Sequence, residues 1–427
     1  MKSILKRIII EKQKEIIPLS IVSRDMTFEA NVSYVIIGPR RAGKSYMLYH
    51  DIQQRVRGGM VSIEDILYIN FEDERIGSIK SEDLGLIIDA YAELYDRKPL
   101  VYLDEIQNIS GWEKFARRLV DSKYRVMITG SNAKMLSKEI STVLGGRYVP
   151  REVFPFSFDE FLKFRGFVLG KNWEFDPYVS SSIARSFNEY FFWGGFSEIF
   201  EIEEKREWLN SLYQKVLMGD IVERNSVRNP NVFRLLVRKL ADSLMQPSTL
   251  QRLQHIIKSS GDNISIPILK SYLSYLEDAY LTFSLSNLAS PLSEQETTKK
   301  RYFTDNGILG LFLIDGETKL LENIVAIHLN RLFRNTKEET RLYYYNRNIE
   351  VDFCIPEVKQ AIQVSYSIAD DDTRDREVGA LEKFISVNKE YSGIIISFDT
   401  ESTIDTKVGV VKVVPVWKWL LSPCGCL

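Results

Sequence analysis

Between residues 31 and 165, short apolar runs alternate with stretches whose apolar residues recur every three or four positions. The runs are Tyr34–Ile37, Ile66–Phe71, Leu100–Asp104, Arg125–Thr129 and Tyr148–Val153. Runs this short, rich in β-branched residues and bounded by polar turns, read as buried strands. Their alternation with helical stretches predicts an α/β unit, a five-stranded parallel sheet covered by helices. Ahead of it, residues 1–30 hold one amphipathic helix. In MKSILKRIIIEKQKEII, Glu11 and Lys12 break the apolar stretch after three isoleucines, so the segment predicts a surface helix and not an export signal.

Past Phe154-Pro155-Phe156, a candidate hinge, residues 166–229 read as a helical and aromatic region. Its centre, Phe191-Phe192-Trp193-Gly194-Gly195-Phe196, carries no interleaved basic residue and predicts a packed turn, not a platform for bases. Residues 230–305 have the pattern of a winged helix. Val232, Leu235, Leu236, Leu240 and Leu244 share the face of a first helix. Ser248 is placed to cap a second helix, and Ser265 a third with Pro267 in its first turn. The strand-like Leu281–Leu285 and Arg301–Thr304 would form the wing, joined by a polar loop, Ser290 to Lys300. Residues 306–427 form a last α/β domain: a helix at Leu320–Phe333, strands at Leu342–Tyr345, Glu350–Ile355 and Ala361–Tyr366, a charged helix from Thr373 to Val387, and a strand at Gly393–Ser397.

A chain of 427 residues has room for two to four such domains. With 44% hydrophobic and 27% charged residues it has the composition of a soluble globular protein. A net charge of −2 supplies no global attraction to nucleic acid, so any such contact needs a local basic patch. No apolar run approaches the length of a membrane span, so no membrane partner is expected. The 3 cysteines, Cys354 and a terminal Cys424-Gly425-Cys426, are too few for a disulfide framework. They predict reduced thiols in a cytoplasmic protein, and a metal site at the terminal pair would need further ligands.

The chemistry concentrates at the carboxyl ends of the predicted strands, where parallel sheets bind ligands. The first strand runs into GPRRAGKS, which matches the phosphate-loop pattern in a strand–loop–helix setting. Gly38, Pro39, Arg40, Arg41, Ala42, Gly43, Lys44 and Ser45, with Tyr46 after them, are the candidate nucleotide-binding residues. Backbone N–H groups and the helix N-terminus would cradle phosphate, Lys44 would reach the β- and γ-phosphates, and the Ser45 hydroxyl would ligate Mg²⁺. Arg40 and Arg41 either contact phosphate or are solvated. The third strand ends in Asp104-Glu105. Asp104 would hold Mg²⁺ through water and Glu105 would act as general base on the attacking water. ATP and Mg²⁺ are therefore the expected cofactors. After the fourth strand, Asn132 or Ser131 could sense the γ-phosphate or, alternatively, cap a helix. Arg147 could act as a finger on a neighbouring subunit, which requires an oligomer, or form an ion pair within its own subunit. Glu72 and Asp73 close the second strand, near substrate or as loop caps.

These segments resemble those of a bacterial and archaeal group of AAA+-like ATPases. The matching stretches are GPRRAGKS, YINFED, LVYLDEIQNISGWE, ITGSNAKMLSKEI, LGGRYVPREVFPFSFDEFL, RYFTDNGIL and LENIVAIHL. The resemblance implies an AAA+-like P-loop core, a winged helix and a nuclease-like tail. In the tail, the order helix, three strands, helix, strand is similar to a PD-(D/E)-x-K nuclease core. Glu322 fits the helix acid and Asp352 the strand acid. Gln363 stands where a second strand acid belongs, and Ser365 replaces the lysine. Either Arg376 or Glu377 on the next helix has taken over the missing chemistry, or the domain has lost its catalysis. The winged helix offers Lys270, Ser271, Ser274, Tyr275, Glu277 and Asp278 on its third helix, a poor match for phosphates. Lys299-Lys300-Arg301 at the wing is better suited to DNA; the alternative is packing or protein contact. The expected activity is that of an ATP-hydrolysing switch or motor acting on DNA or a protein partner. The alternatives are an ATP-licensed metal-dependent nuclease and a slow-turnover sensor or scaffold.

Overall fold

The computed structural model describes residues 1–131, 143–333 and 342–422. They divide into two units, 1–154 and 155–427. The division falls at Phe154/Pro155, inside the segment read as a hinge.

In the first unit, the five apolar runs form a parallel sheet of β1 (Ser33–Ile37), β2 (Ile66–Asn70), β3 (Leu100–Asp104), β4 (Val126–Gly130) and β5 (Tyr148–Glu152), in the order β2-β3-β4-β1-β5. Burial on both faces explains why the strands read as continuous apolar runs and not as alternating ones. The helices α1 (Lys2–Ile16), α2 (Lys44–Arg57), α3 (Gly85–Ala92) and α4 (Trp112–Asp121) flank it. α1 belongs to this unit. Leu5, Ile8, Ile9 and Ile16 are buried against α3 and β2, and the Gln13 side-chain amide donates to the Ile66 carbonyl. Each such buried apolar side chain stabilises the fold by about 1.5–3 kcal/mol.

The second unit opens with α5 (Phe158–Phe164), α6 (Pro177–Trp193) and α7 (Lys205–Lys215). Their aromatic core includes Phe161, Phe187, Tyr190, Phe191 and Phe200, so the aromatic turn is packed, as its lack of basic residues implied. α8 (Pro230–Asp242), α9 (Leu250–Ser259) and α10 (Ile266–Asp278) follow, with β6 (Ser248–Thr249), β7 (Thr282–Asn287) and β8 (Thr298–Phe303). Thr249, not Ser248, caps α9: its hydroxyl accepts from the Arg252 N–H, while Ser248 pairs with Lys299 on β8. Part of the polar stretch read as a loop is β8 itself.

The remaining elements are α11 (Glu317–Phe333), β9 (Tyr343–Asn346), β10 (Glu350–Ile355), β11 (Gln360–Ser365), α12 (Asp371–Val387), β12 (Ser392–Ser397), β13 (Ser402–Thr406) and β14 (Gly409–Pro415). One nine-stranded sheet spans the whole region in the order β13-β14-β12-β11-β10-β9-β7-β8-β6. It therefore runs continuously across the boundary expected at residue 305, because β7 pairs in parallel with β9. β13 and β14 were not read from the sequence. The signal for β14 is the alternation of buried Val411 and Val413 with exposed Val410 and Lys412.

Candidate nucleotide site

Strand order brings the carboxyl ends of β3, β4 and β1 side by side, and the three motifs that follow them converge. The loop after β1 is shaped by its glycines. A Cβ on Gly38 would lie 1.9 Å from the Val153 carbonyl oxygen. Gly43 takes φ 89° as the N-cap of α2, a left-handed conformation that glycine adopts without steric cost. The Ala42 N–H donates to the Pro39 carbonyl, closing the turn. Arg24, which the sequence reading did not single out, braces the loop: its guanidinium donates to the Ala42 carbonyl at 3.1 Å and to the Phe154 carbonyl at 2.9 Å.

Lys44 is buried, and its ammonium donates to the Pro39 carbonyl at 3.0 Å and lies 3.4 Å from a Glu105 carboxylate oxygen. The Ser45 hydroxyl hydrogen-bonds Asp104. Asp104 has no solvent exposure. It also accepts hydrogen bonds from Thr129 Oγ1 and, at 2.6 Å, from the Tyr68 hydroxyl. Burial raises its pKa above the usual carboxylate value, against the opposing pull of the Thr129, Tyr68 and Ser45 hydrogen bonds. A carboxylate charge that is costly in this dry position is one that a cation would stabilise. Ser45 and Asp104 are thus the pair suited to hold Mg²⁺, and Lys44 with the loop N–H groups suits phosphate.

Glu105 adopts φ 52°, an arrangement that costs a non-glycine residue about 1–2 kcal/mol. Its backbone N–H donates to Thr129 Oγ1 at 2.8 Å, and its carboxylate accepts from the Gln107 amide. The same amide lies 3.4 Å from Ser131 Oγ. Thr129 therefore links both acids through one hydroxyl, and Gln107 links Glu105 to Ser131. Neither was singled out from the sequence. The available signal was Thr129 as the one polar side chain before Gly130 in an otherwise apolar strand.

The other candidates lie around this centre. Arg40 pairs with Glu72 at 3.1 Å. Arg41 is exposed with φ 63°, and Tyr46 is exposed with its ring packed edge-on against Tyr49. Arg147 donates to Asp121 at 2.6 Å and to the Leu144 carbonyl at 3.3 Å. Asn132 lies outside the described residues, as do Cys424 and Cys426.

In the second unit, Glu322, Asp352 and Gln363 come close together, though not as open ligands. The Gln363 amide oxygen accepts from the Asp352 N–H, and its amide nitrogen donates to Glu377. Arg376 pairs with Glu377 at 2.8 Å. Lys300 and Arg301, suited to DNA on one reading and to packing on the other, are buried. Arg301 donates to the Ser248 carbonyl, and Lys300 is turned into the carboxylates. β8 pairs with β7 at both positions, and successive side chains of a strand project to opposite faces: Lys300 meets the carboxylates on one side and Arg301 meets Ser248 on the other. Among the described residues no helix is long and apolar enough to cross a membrane.

A family model described as an AAA domain matches residues 30–162, and one described as a domain of unknown function matches residues 184–318. The chain is 32% identical over 434 positions to the uncharacterized protein MJ1544 of Methanocaldococcus jannaschii, covering 99% of this chain and 96% of that protein. It is 28% identical to an uncharacterized protein of Haemophilus influenzae, over 91% of this chain and 94% of that one. Among solved structures it is similar to the Walker-type ATPase of Pyrococcus abyssi, with 15% identity and a TM-score of 0.40, over 74% of this chain and 96% of that chain.

Proposed function

The chain belongs to the same family as MJ1544 and carries an AAA domain, and on that premise we propose that it binds ATP with Mg²⁺ and hydrolyses it to drive a change of state. The observation that carries this reading is the convergence of Lys44, Ser45, Asp104 and Glu105 at the carboxyl ends of β1 and β3. Ser45 and Asp104 would hold the Mg²⁺, which when bound would neutralise phosphate charge. Lys44 and the loop N–H groups grip the outer phosphates. The Lys44 ammonium lies 3.4 Å from a Glu105 carboxylate oxygen, so the base stands beside the group that would grip the outer phosphates, and Glu105 would take the proton of the attacking water. Asn132 or Ser131 orients the water, and Arg147 supplies positive charge to a neighbouring copy once it leaves Asp121.

The order of helices and strands from α8 to β8 supports a winged helix, and that from α11 to β12 supports a nuclease-like fold whose catalysis is lost. Gln363, with both ends of its amide engaged, and Ser365 in the lysine position favour loss. The output is then exerted on DNA or a protein partner. Turnover assays with bound-nucleotide analysis test the core of this reading. Lys44→Ala should abolish both binding and turnover. Glu105→Gln should retain ATP and lower turnover by about a hundredfold or more. Parental turnover in Glu105→Gln would remove Glu105 from the role of base.

A further inference from the structure

The second unit holds a polar cluster that the ATPase reading leaves unused. β8 brings the side chain of Lys300 in with no solvent exposure. Its ammonium nitrogen lies 2.9 Å from a Glu350 oxygen, 3.2 Å from Asp352 Oδ1 and 3.5 Å from Glu322 Oε1. The Tyr344 ring centroid is 5.7 Å away. An ammonium has three protons, and three different carboxylates lie within 3.5 Å of its nitrogen. Burial alone would lower the Lys300 pKa, but Glu322, Asp352 and Glu350 outweigh it and the pKa is raised. The lysine is therefore a fixed positive charge.

The carboxylates have few other partners. Glu322 is 1% exposed, its Oε1 accepts from the Tyr302 hydroxyl at 2.7 Å, and its Oε2 has no hydrogen-bond partner among the described residues. Asp352 Oδ2 accepts from the Val364 N–H. Carboxylates from a helix and a strand, one with an unsatisfied oxygen, form a nest that requires a cation. With Lys300 in their midst these carboxylates are not spaced for a metal, and no other group of three or more acidic, histidine or cysteine side chains among the described residues is so spaced.

We propose that the Lys300 ammonium is the resident cation of the Glu322, Glu350 and Asp352 cluster, filling the place that a divalent metal would otherwise take, so that this cluster binds no Mg²⁺ in the folded protein. This rests on the nuclease-like reading of the strands and helices from α11 to β12, in which Ser365 replaces the lysine of β11; a lysine from β8 stands among the acids instead and ties β8 to β10 and α11. Lys300, fully enclosed, cannot meet a phosphodiester.

The test is Mn²⁺ binding to the full-length, nucleotide-free chain, followed by the paramagnetic signal of free Mn²⁺. Wild type and Asp352→Asn should bind Mn²⁺ identically, since any weak binding at the phosphate loop is common to both. A wild-type site that disappears in Asp352→Asn would overturn the proposal, and this comparison decides even if lysine variants fail to fold. Lys300→Met should gain one Mn²⁺ site, lost again on adding Asp352→Asn, and Mn²⁺ should raise its melting temperature. A cooperatively folded Lys300→Met with no added site would also overturn it. Neither outcome depends on whether the first unit hydrolyses ATP.

Discussion

At the scale of single residues, Thr129 does more than its size suggests. One hydroxyl donates to Asp104 and accepts from the Glu105 N–H, fixing the metal-directed acid and the base relative to each other. Thr129→Val should lower turnover by at least about tenfold, through lost positioning, with a smaller change in nucleotide affinity. Thr129→Ser should restore much of the loss. Equal activity in the Val variant would assign Thr129 a packing role only. Two groups in the second unit, the half-buried His328 and the buried Asp305, predict opposite responses to pH. Burial, with Arg331 adding to it, holds the His328 imidazole down to about 3. Its contribution to stability is intact above its ordinary pKa near 6.5 and is lost as pH falls from there toward 3. Burial raises Asp305 to about 6 despite hydrogen bonds from the Gly195 and Ile308 N–H groups. Its folded form favours the proton, so its contribution is full below the ordinary aspartate value and is lost as pH rises through 6. Between pH 4 and 6 the two slopes oppose each other. Urea unfolding of His328→Phe should therefore gain on wild type as pH is lowered, by roughly 1.4 kcal/mol per pH unit at most. A pH-independent difference would mean that His328 takes up its proton in the folded state.

Asp305 also explains, at the scale of elements, why distant sequence segments pair. The turn at Gly194-Gly195 follows α6, and Asp305 follows β8. The carboxylate accepts from the Gly195 N–H at 2.8 Å. Asn306 donates to the Phe191 and Leu320 carbonyls, and Asn323 on α11 donates to the Asn306 side chain and to the Phe303 carbonyl. FFWGGF, RYFTDNGIL and LENIVAIHL thus form one buried polar knot, and their residue types answer to hydrogen-bond geometry and not to a ligand. Gly194 is required in it: with φ 77°, a Cβ would lie 2.2 Å from an Asp305 carboxylate oxygen. Gly194→Ala should destabilise the protein by about 2–4 kcal/mol, read as a lower urea midpoint with an unchanged slope. A change below about 0.5 kcal/mol would show that the turn relaxes without cost.

At the scale of the whole molecule, the question is whether the site is complete in one copy. Lys44, Ser45, Asp104 and Glu105 meet within one chain, whereas Arg147 is engaged with Asp121 on the far end of α4. If Arg147 serves a neighbouring copy, mixing two inactive variants should restore turnover. Arg147→Ala supplies an intact Glu105, Glu105→Gln supplies an intact Arg147, and mixed assemblies contain competent interfaces. Mixtures no more active than their components, in a preparation shown to be oligomeric with a non-hydrolysable analogue, would leave Arg147 as an intramolecular ion pair.

The sequence by itself determined the five strands of the first sheet to within one or two residues at each end, the phosphate loop, and the paired acids. These are local properties. An apolar run bounded by turns declares its own burial, and a glycine-rich loop between strand and helix declares its own geometry. It also determined most of the helices and central strands of the second unit, since the buried faces of α8 and α10 repeat at helical spacing. Tertiary structure alone decided what distant side chains do to one another. Thr129 bridges the acids only because β4 lies beside β3. Lys300 reads as a basic wing residue until β8 is placed. β8 lies three strands from β10 in the sheet, and Lys300 still reaches Asp352 at 3.2 Å. No period along the chain encodes that meeting. It follows from strand order, and with it comes the difference between a charge offered to DNA and a charge buried among carboxylates.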